Sequence, residues 1–302
     1  MSVSIQPEQR GKKAPVWARV LIPVLIIAIG LGVLLYPVVA TQWNNNKQAA
    51  VSRAYEDLNQ QADPATLQRY LDSARAYNAT EVGGPILDPW LSRVSEENEA
   101  YQRYLGELNY QEAMSRIVIP SINVDLPIYH GTADDTLQRG VGHLFGSALP
   151  VGGEGSHSML TAHTGLSQAS LFDNLDEVVV GDVFYLSTAG EKFKYEVHNI
   201  DVVLPDEAEN LHPVAGEDLV TLITCTPYGI NTHRILVTAH RVEMDLAAEQ
   251  AIFEGVGTKW QWWMYAIAAA SLITMILLAA WVTRMVKKIK ANANTDAQEE
   301  SL

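Results

Sequence analysis

The chain has 302 residues, 48% of them hydrophobic, and a formal net charge of −14. That length suffices for one good-sized domain plus additional segments. A single cysteine rules out an internal disulfide framework, and the acidic balance argues against nucleic acid or anionic lipid as a partner, since both would repel it.

In chain order, Arg10, Lys12, Lys13 and Arg19 lead into a stretch without charge from Val20 to Asn46. Its part "VLIPVLIIAIGLGVLLYPVVA" is long enough to cross a bilayer at ~1.5 Å per residue. Residues 1–19 read as a basic cytoplasmic tail and 20–41 as a transmembrane helix or signal anchor. The alternative is a cleaved signal peptide with Val38 and Ala40 before the cut. Near the other end, residues 260–283, "WQWWMYAIAAASLITMILLAAWVT", form a second span. Trp260, Trp262, Trp263 and Tyr265 read as its interfacial belt, and Arg284, Lys287, Lys288 and Lys290 lie in a tail of residues 284–302. Basic flanks mark the cytoplasmic side, so both termini face inward and the middle faces out. The tails together carry a net +4, which leaves −18 on the middle, as befits a water-facing domain.

Residues 42–113 carry a helical pattern. Asp63-Pro64 offers an N-cap and a first-turn proline, and Leu67, Tyr70, Leu71 and Ala74 follow at i, i+3, i+4, i+7. Ser95, Glu96 and Glu97 start another helix, with Tyr101, Tyr104, Leu105 and Leu108 on one face. From 114 to 245 the chain turns to short β-like runs: "RIVIPSINVDLPIY", "SMLTAH", "DVFYLST", "KFKYEVHNIDVV", "LVTLITC" and "RILVTAHRVE". Ala189-Gly190 reads as a hairpin turn. Without helices long enough for crossovers, such runs favour an antiparallel barrel or sandwich. Residues 246–259 read as a linker.

Cys225 ends one of these runs. A thiol is a nucleophile only as thiolate, so a reactive cysteine needs a nearby base or cation. Among the eight histidines, His163 closes "SMLTAH" at the same strand-end position that Cys225 occupies. Arg234 opens the next run, where a hairpin would return a guanidinium to the thiol to hold an oxyanion. A buried, inert cysteine is the competing reading. His157, His198, His212 and His240 read as surface or packing residues, and no histidine pair shows the helical spacing of a metal site.

"TLITC", followed nine residues later by Arg234 and preceded by "TAHTG", resembles the signature of the sortases, cysteine transpeptidases of Gram-positive cell surfaces. The resemblance implies a closed antiparallel β-barrel of about eight strands with N-terminal helices, and a catalytic trio of His163, Cys225 and Arg234. "GGPILDPWLS" resembles the lid of class C, pilus-assembling sortases. By that resemblance a lid loop at 81–92 pairs Asp88 with Arg234 and lays Trp90 over Cys225, with Pro89 between them. Thr224 is a candidate for the substrate or oxyanion pocket. The implied reaction cleaves an LPXTG-like signal between Thr and Gly and passes the acyl group to a pilin lysine or a cell-wall amine, without metal or organic cofactor. A membrane-bound cysteine hydrolase and a non-catalytic assembly scaffold are the alternatives.

Overall fold

The computed structural model describes residues 16–81, 98–205, 207, 211–244, 252–253 and 260–299. Eight strands, β1 (Ser115–Ile119), β2 (Val124–His130), β3 (Val141–His143), β4 (Ser156–Thr161), β5 (Val183–Thr188), β6 (Glu191–Val203), β7 (Asp218–Thr226) and β8 (His233–Val242), close into a barrel in the order β1-β2-β3-β4-β7-β8-β6-β5. The expected barrel is present, but it is mixed rather than wholly antiparallel: β2 pairs with β3, and β4 with β7, in parallel. Both parallel pairs need a connection that returns the chain to the starting end. The short helix α4 (Asp134–Arg139) supplies the first, and the whole β5–β6 excursion supplies the second.

"RIVIPSINVDLPIY" is two strands. Pro120 opens a 3-10 turn, and Asn123 takes a left-handed φ of 53°, which reverses the chain so that Ile119 faces Val124. The hairpin at Ala189-Gly190 forms as expected, with positive φ at both positions and Thr188 opposite Glu191. Ile117, Ile128, Leu160, Phe184, Leu186, Phe193, Val220, Leu222 and Val237 belong to one buried core.

Among the described residues three helices precede the barrel in the chain: α1 (Val16–Gln61), α2 (Pro64–Glu81) and α3 (Glu99–Gly106). Asp63 caps α2 through the Ala65 and Thr66 amides, and Leu67, Leu71 and Ala74 join the barrel core. In α3 the cap is Asn98, whose side chain accepts from Ala100 and Tyr101. The expected start at Ser95–Glu97 lies outside the described residues, as do the loop 82–92 and its Asp88, Pro89 and Trp90. No break separates the predicted span 20–41 from the helical region after it, because α1 is continuous through Pro37. With α5 (Trp262–Glu299), it is one of two helices among the described residues that are long and apolar enough to cross a membrane. The chain divides into two compact units, Met1–Val39 with Trp260–Leu302, and Ala40–Lys259.

Two buried polar groups anchor the second unit. Arg116, fully buried on β1, makes paired 2.8 Å bonds to both carboxylate oxygens of Asp125 on β2. It also donates to the Phe253 carbonyl and lies against that ring, so the charge is paired on every side. His143 on β3 is fully buried; its Nε2 donates to the Ala148 carbonyl at 2.8 Å, and its Nδ1 faces the Tyr104 hydroxyl at 3.0 Å. Burial pushes its pKa down to about 4. The unfolded chain therefore binds a proton that the fold refuses, and stability is lost as pH falls from 6.5 toward 4, by up to ~1.4 kcal/mol per pH unit. His130 and His157, also lowered by burial, act in the same direction. Replacing His143 with Gln should flatten the fall in thermal midpoint between pH 7 and pH 4.5, measured in mild detergent. An unchanged slope would refute the assignment.

Candidate active site

β7 has apolar residues on both faces because both are covered. Val220 and Leu222 join the barrel core, while Ile223 packs with Leu144, Met159 and Leu236 on the outside. That accounts for the near-continuous run "LVTLIT". Burial falls off at its end, and Cys225 is a partly exposed thiol.

The ladders on either side of β7 fix what faces this thiol. On the antiparallel side, Cys225 is directly opposite Arg234, the second residue of β8. The turn between them closes with the Ile230 and Asn231 amides on the Pro227 carbonyl, both at 3.0 Å. Arg234 is 5% exposed, and its Nη1 donates to the His233 carbonyl at 3.2 Å. On the parallel side, Thr161 is the Cα partner of Ile223. Two residues further on, Cys225 is still within β7, whereas His163 lies two residues beyond the end of β4. The continuation is held by the Ala162 amide on the Ile223 carbonyl at 3.3 Å and by the Thr224 hydroxyl on the Ala162 carbonyl at 2.7 Å. One histidine, one thiol and one guanidinium thus share a rim of the barrel.

Thr224 is buried, and its hydroxyl donates to the Ala162 carbonyl, which braces the strand end before His163. The other histidines separate as packing and surface groups. His157 is buried with Nε2 2.7 Å from the Thr221 hydroxyl, whereas His198 and His240 meet on the exposed face with their Nδ1 atoms 3.2 Å apart.

The loop after His163 is held from two directions, neither of which the sequence announces. Phe172 donates its amide to the His163 carbonyl at 3.1 Å, and Asp173 accepts from the Gly165 amide at 2.7 Å. Gly165 has a φ of +78°, and a Cβ there would stand 3.6 Å from the Gly229 amide, so the two rim loops approach closely. From the other side, Thr41 and Asn44 of α1 donate to the Ser167 and Gln168 carbonyls, and Asn45 exchanges two hydrogen bonds with Ser170.

Burial lowers the pKa of His163, and the charge of Asp134 on α4 partly opposes it. The net direction favours a neutral imidazole. A neutral imidazole can accept and return a proton, and a guanidinium, which does not deprotonate, can balance a nearby negative charge.

A model of the sortase domain matches residues 117–242. The solved structure of sortase C-1 from Actinomyces oris is 56% identical, covers 60% of this chain and 99% of its own, and superposes with a TM-score of 0.58. The chain belongs to the sortase family. A lid mutant of sortase A from Corynebacterium diphtheriae is 47% identical over 62% of this chain and 100% of that one, with a TM-score of 0.58. Sortase C of Streptococcus pneumoniae, whose structure is described as informing catalysis and pilin substrate specificity, is 39% identical over 65% and 97%, with a TM-score of 0.59. Sortases are cysteine transpeptidases, and Cys225 is the only cysteine this sortase has.

Beside the trio, burial pushes the carboxyl of Asp173 up to about 7 from 3.8. The folded state holds a proton that the unfolded state releases, so this group's contribution is present at acid pH and is lost as pH rises through 7. An amide oxygen can accept the Gly165 bond without ionising. Asp173→Asn should therefore raise the thermal midpoint relative to the parent at pH 8, with the two converging near pH 4. A variant equally destabilised at both values would contradict this origin.

Proposed function

We propose that this sortase is a membrane-anchored, pilin-polymerising transpeptidase in which Cys225 is the nucleophile, His163 the general acid and base, and Arg234 the oxyanion partner. The observation that supports this reading is the pairing of β7, which sets Arg234 opposite Cys225 on one side and ends β4 two residues before His163 on the other. In the first step the Cys225 sulfur attacks the Thr carbonyl of an LPXTG-like signal, with its proton passing to His163. The Thr–Gly C–N bond breaks, and the glycine amine leaves with that proton. In the second step an amine, from a lysine of the next pilin or from the cell wall, attacks the thioester and gives its proton to His163. An isopeptide or amide bond forms and the Cys225 thiol is regenerated.

The two apolar helices support membrane association in a Gram-positive cell. Their basic flanks support a topology with both termini in the cytoplasm and the barrel outside. The domain limits follow the same reading, with a catalytic barrel over 114–245 between helical region and linker.

Replacing Cys225 with Ala should abolish both thioester formation and polymer while leaving the fold intact, and polymer formed by that variant would sink the assignment. His163→Ala and Arg234→Ala should each cost on the order of 10²-fold or more in kcat/KM on a sorting peptide. Near-normal turnover in either would remove its role.

A lid at 81–92, with Asp88 on Arg234 and Trp90 over Cys225, is the regulatory part of the proposal. It is supported by the "LDPW" motif and by the existence of a lid in the C. diphtheriae relative. If a closed lid limits substrate entry, changing Asp88 and Trp90 together to Ala should speed alkylation of Cys225 and raise activity on short peptides. Equal alkylation rates in parent and double variant would exclude a lid.

A further inference from the structure

Between α1 and the loop that follows His163 lies a cavity of about 560 Å³. Four side-chain amides line it: Asn44 and Gln48 from α1, Gln138 from α4, and Gln168 from the loop. Gln48 is 6% exposed, and its Oε1 is buried without a hydrogen-bond partner. An orphaned buried acceptor costs roughly 1–3 kcal/mol, so a small shift of the Gln48 side chain to meet an incoming N–H or O–H would recover part of that cost. Val51 and Leu166 add apolar wall to the same cavity.

We infer that this cavity binds the peptide segment flanking the acceptor lysine, the second substrate of the transfer; the inference rests on the transpeptidase reading above. Amides match a peptide backbone because each offers both a donor and an acceptor, and the apolar wall suits one adjoining side chain. A sugar would call for an open aromatic face, and the Tyr129 ring in this cavity is covered by the Arg139 guanidinium at 4.8 Å. Arg139 is in turn paired with Glu112, so neither of these charges is offered to a charged ligand.

The position suits the role. Leu166 stands three residues beyond His163, a distance of no more than about 11 Å of extended chain, which a lysine stem and one or two residues can bridge. α4 links the two places directly. Asp134 at its start acts on His163 by its charge, and Gln138 near its end lines the cavity. The charge of Asp134 favours a cationic acceptor amine at the imidazole over the cavity itself, whose lining carries Lys47 and Arg139.

The test uses the full chain in detergent with an LPXTG-type peptide as donor and four fates for the acyl group, read by mass spectrometry: water, hydroxylamine, a pool of lysine-centred hexapeptides, and cell-wall glycopeptide amines. The parent should form thioester, hydrolyse it slowly and transfer it to a subset of the hexapeptides with saturation. Gln48→Leu and, independently, Gln138→Ala should each lower kcat/KM for those acceptors by on the order of tenfold, about one lost hydrogen bond. Hydrolysis and hydroxylamine transfer should stay at parental rates in both variants, which also reports that each is folded. Three outcomes overturn the inference: unchanged acceptor kcat/KM in both variants, a parallel fall in the hydroxylamine reaction, or a parent that reacts with hydroxylamine yet saturates only with cell-wall glycopeptide amines. Failure of the underlying reading is separate and appears earlier, as a parent that forms no thioester from any sorting peptide.

Discussion

The site depends on one constraint: β7 has a parallel neighbour on one side and an antiparallel neighbour on the other. The parallel β4 ends at the same rim as β7, and the antiparallel β8 begins there. Cys225 and Arg234 therefore face each other through backbone pairing, which sets strand spacing at ~4.8 Å and side-chain direction by a period of two, and His163 follows two residues after the end of β4. A one-residue slip of either ladder would turn the histidine or the arginine to the other face. Burial of both faces of β7 resists such a slip, since Val220 and Leu222 could not exchange with Thr221 and Ile223 without repacking two clusters.

Around that frame, polar groups are placed where burial has a cost. Asp173 and His163 both have their pKa moved toward the neutral form by burial, so the rim carries less charge than its composition implies. Those costs are offset by contacts that order the loop between them. The Gly165 amide, the His163 carbonyl and the Ser167 and Gln168 carbonyls all find partners within the protein, although only His163 of these residues is half-buried. The stability set aside here is of the kind that positions a base to a fraction of an ångström.

What was legible in the sequence was local. The Asp63 cap, the Ala189-Gly190 hairpin and the return of Arg234 to Cys225 each depend on a few neighbouring residues, and each is present. Pro120 and Asn123 carried a turn signal, yet the apolar run on either side masked it, and two strands read as one. β3 is three residues long, too short for any period to show, and with it went the parallel pairings that decide the barrel's true topology. Asp173, the α1 asparagines and the Gln48 cavity belong to contacts between distant segments, and nothing in their spacing could reveal them.

The two readings of the first apolar segment also differ in what they leave for the rim. Cleavage after Ala40 would make Thr41 the new terminus and put Asn44 and Asn45 in the first turn of the remaining helix. That turn has unpaired amides and frays. The same three residues supply the hydrogen bonds that hold 167–170, the stretch that continues from His163. In the continuous α1, Val16–Gln61, they sit in the interior instead, where intrahelical bonds on both sides hold their side chains in register with the loop. The continuous α1 is thus the form in which these three side chains brace the loop after His163.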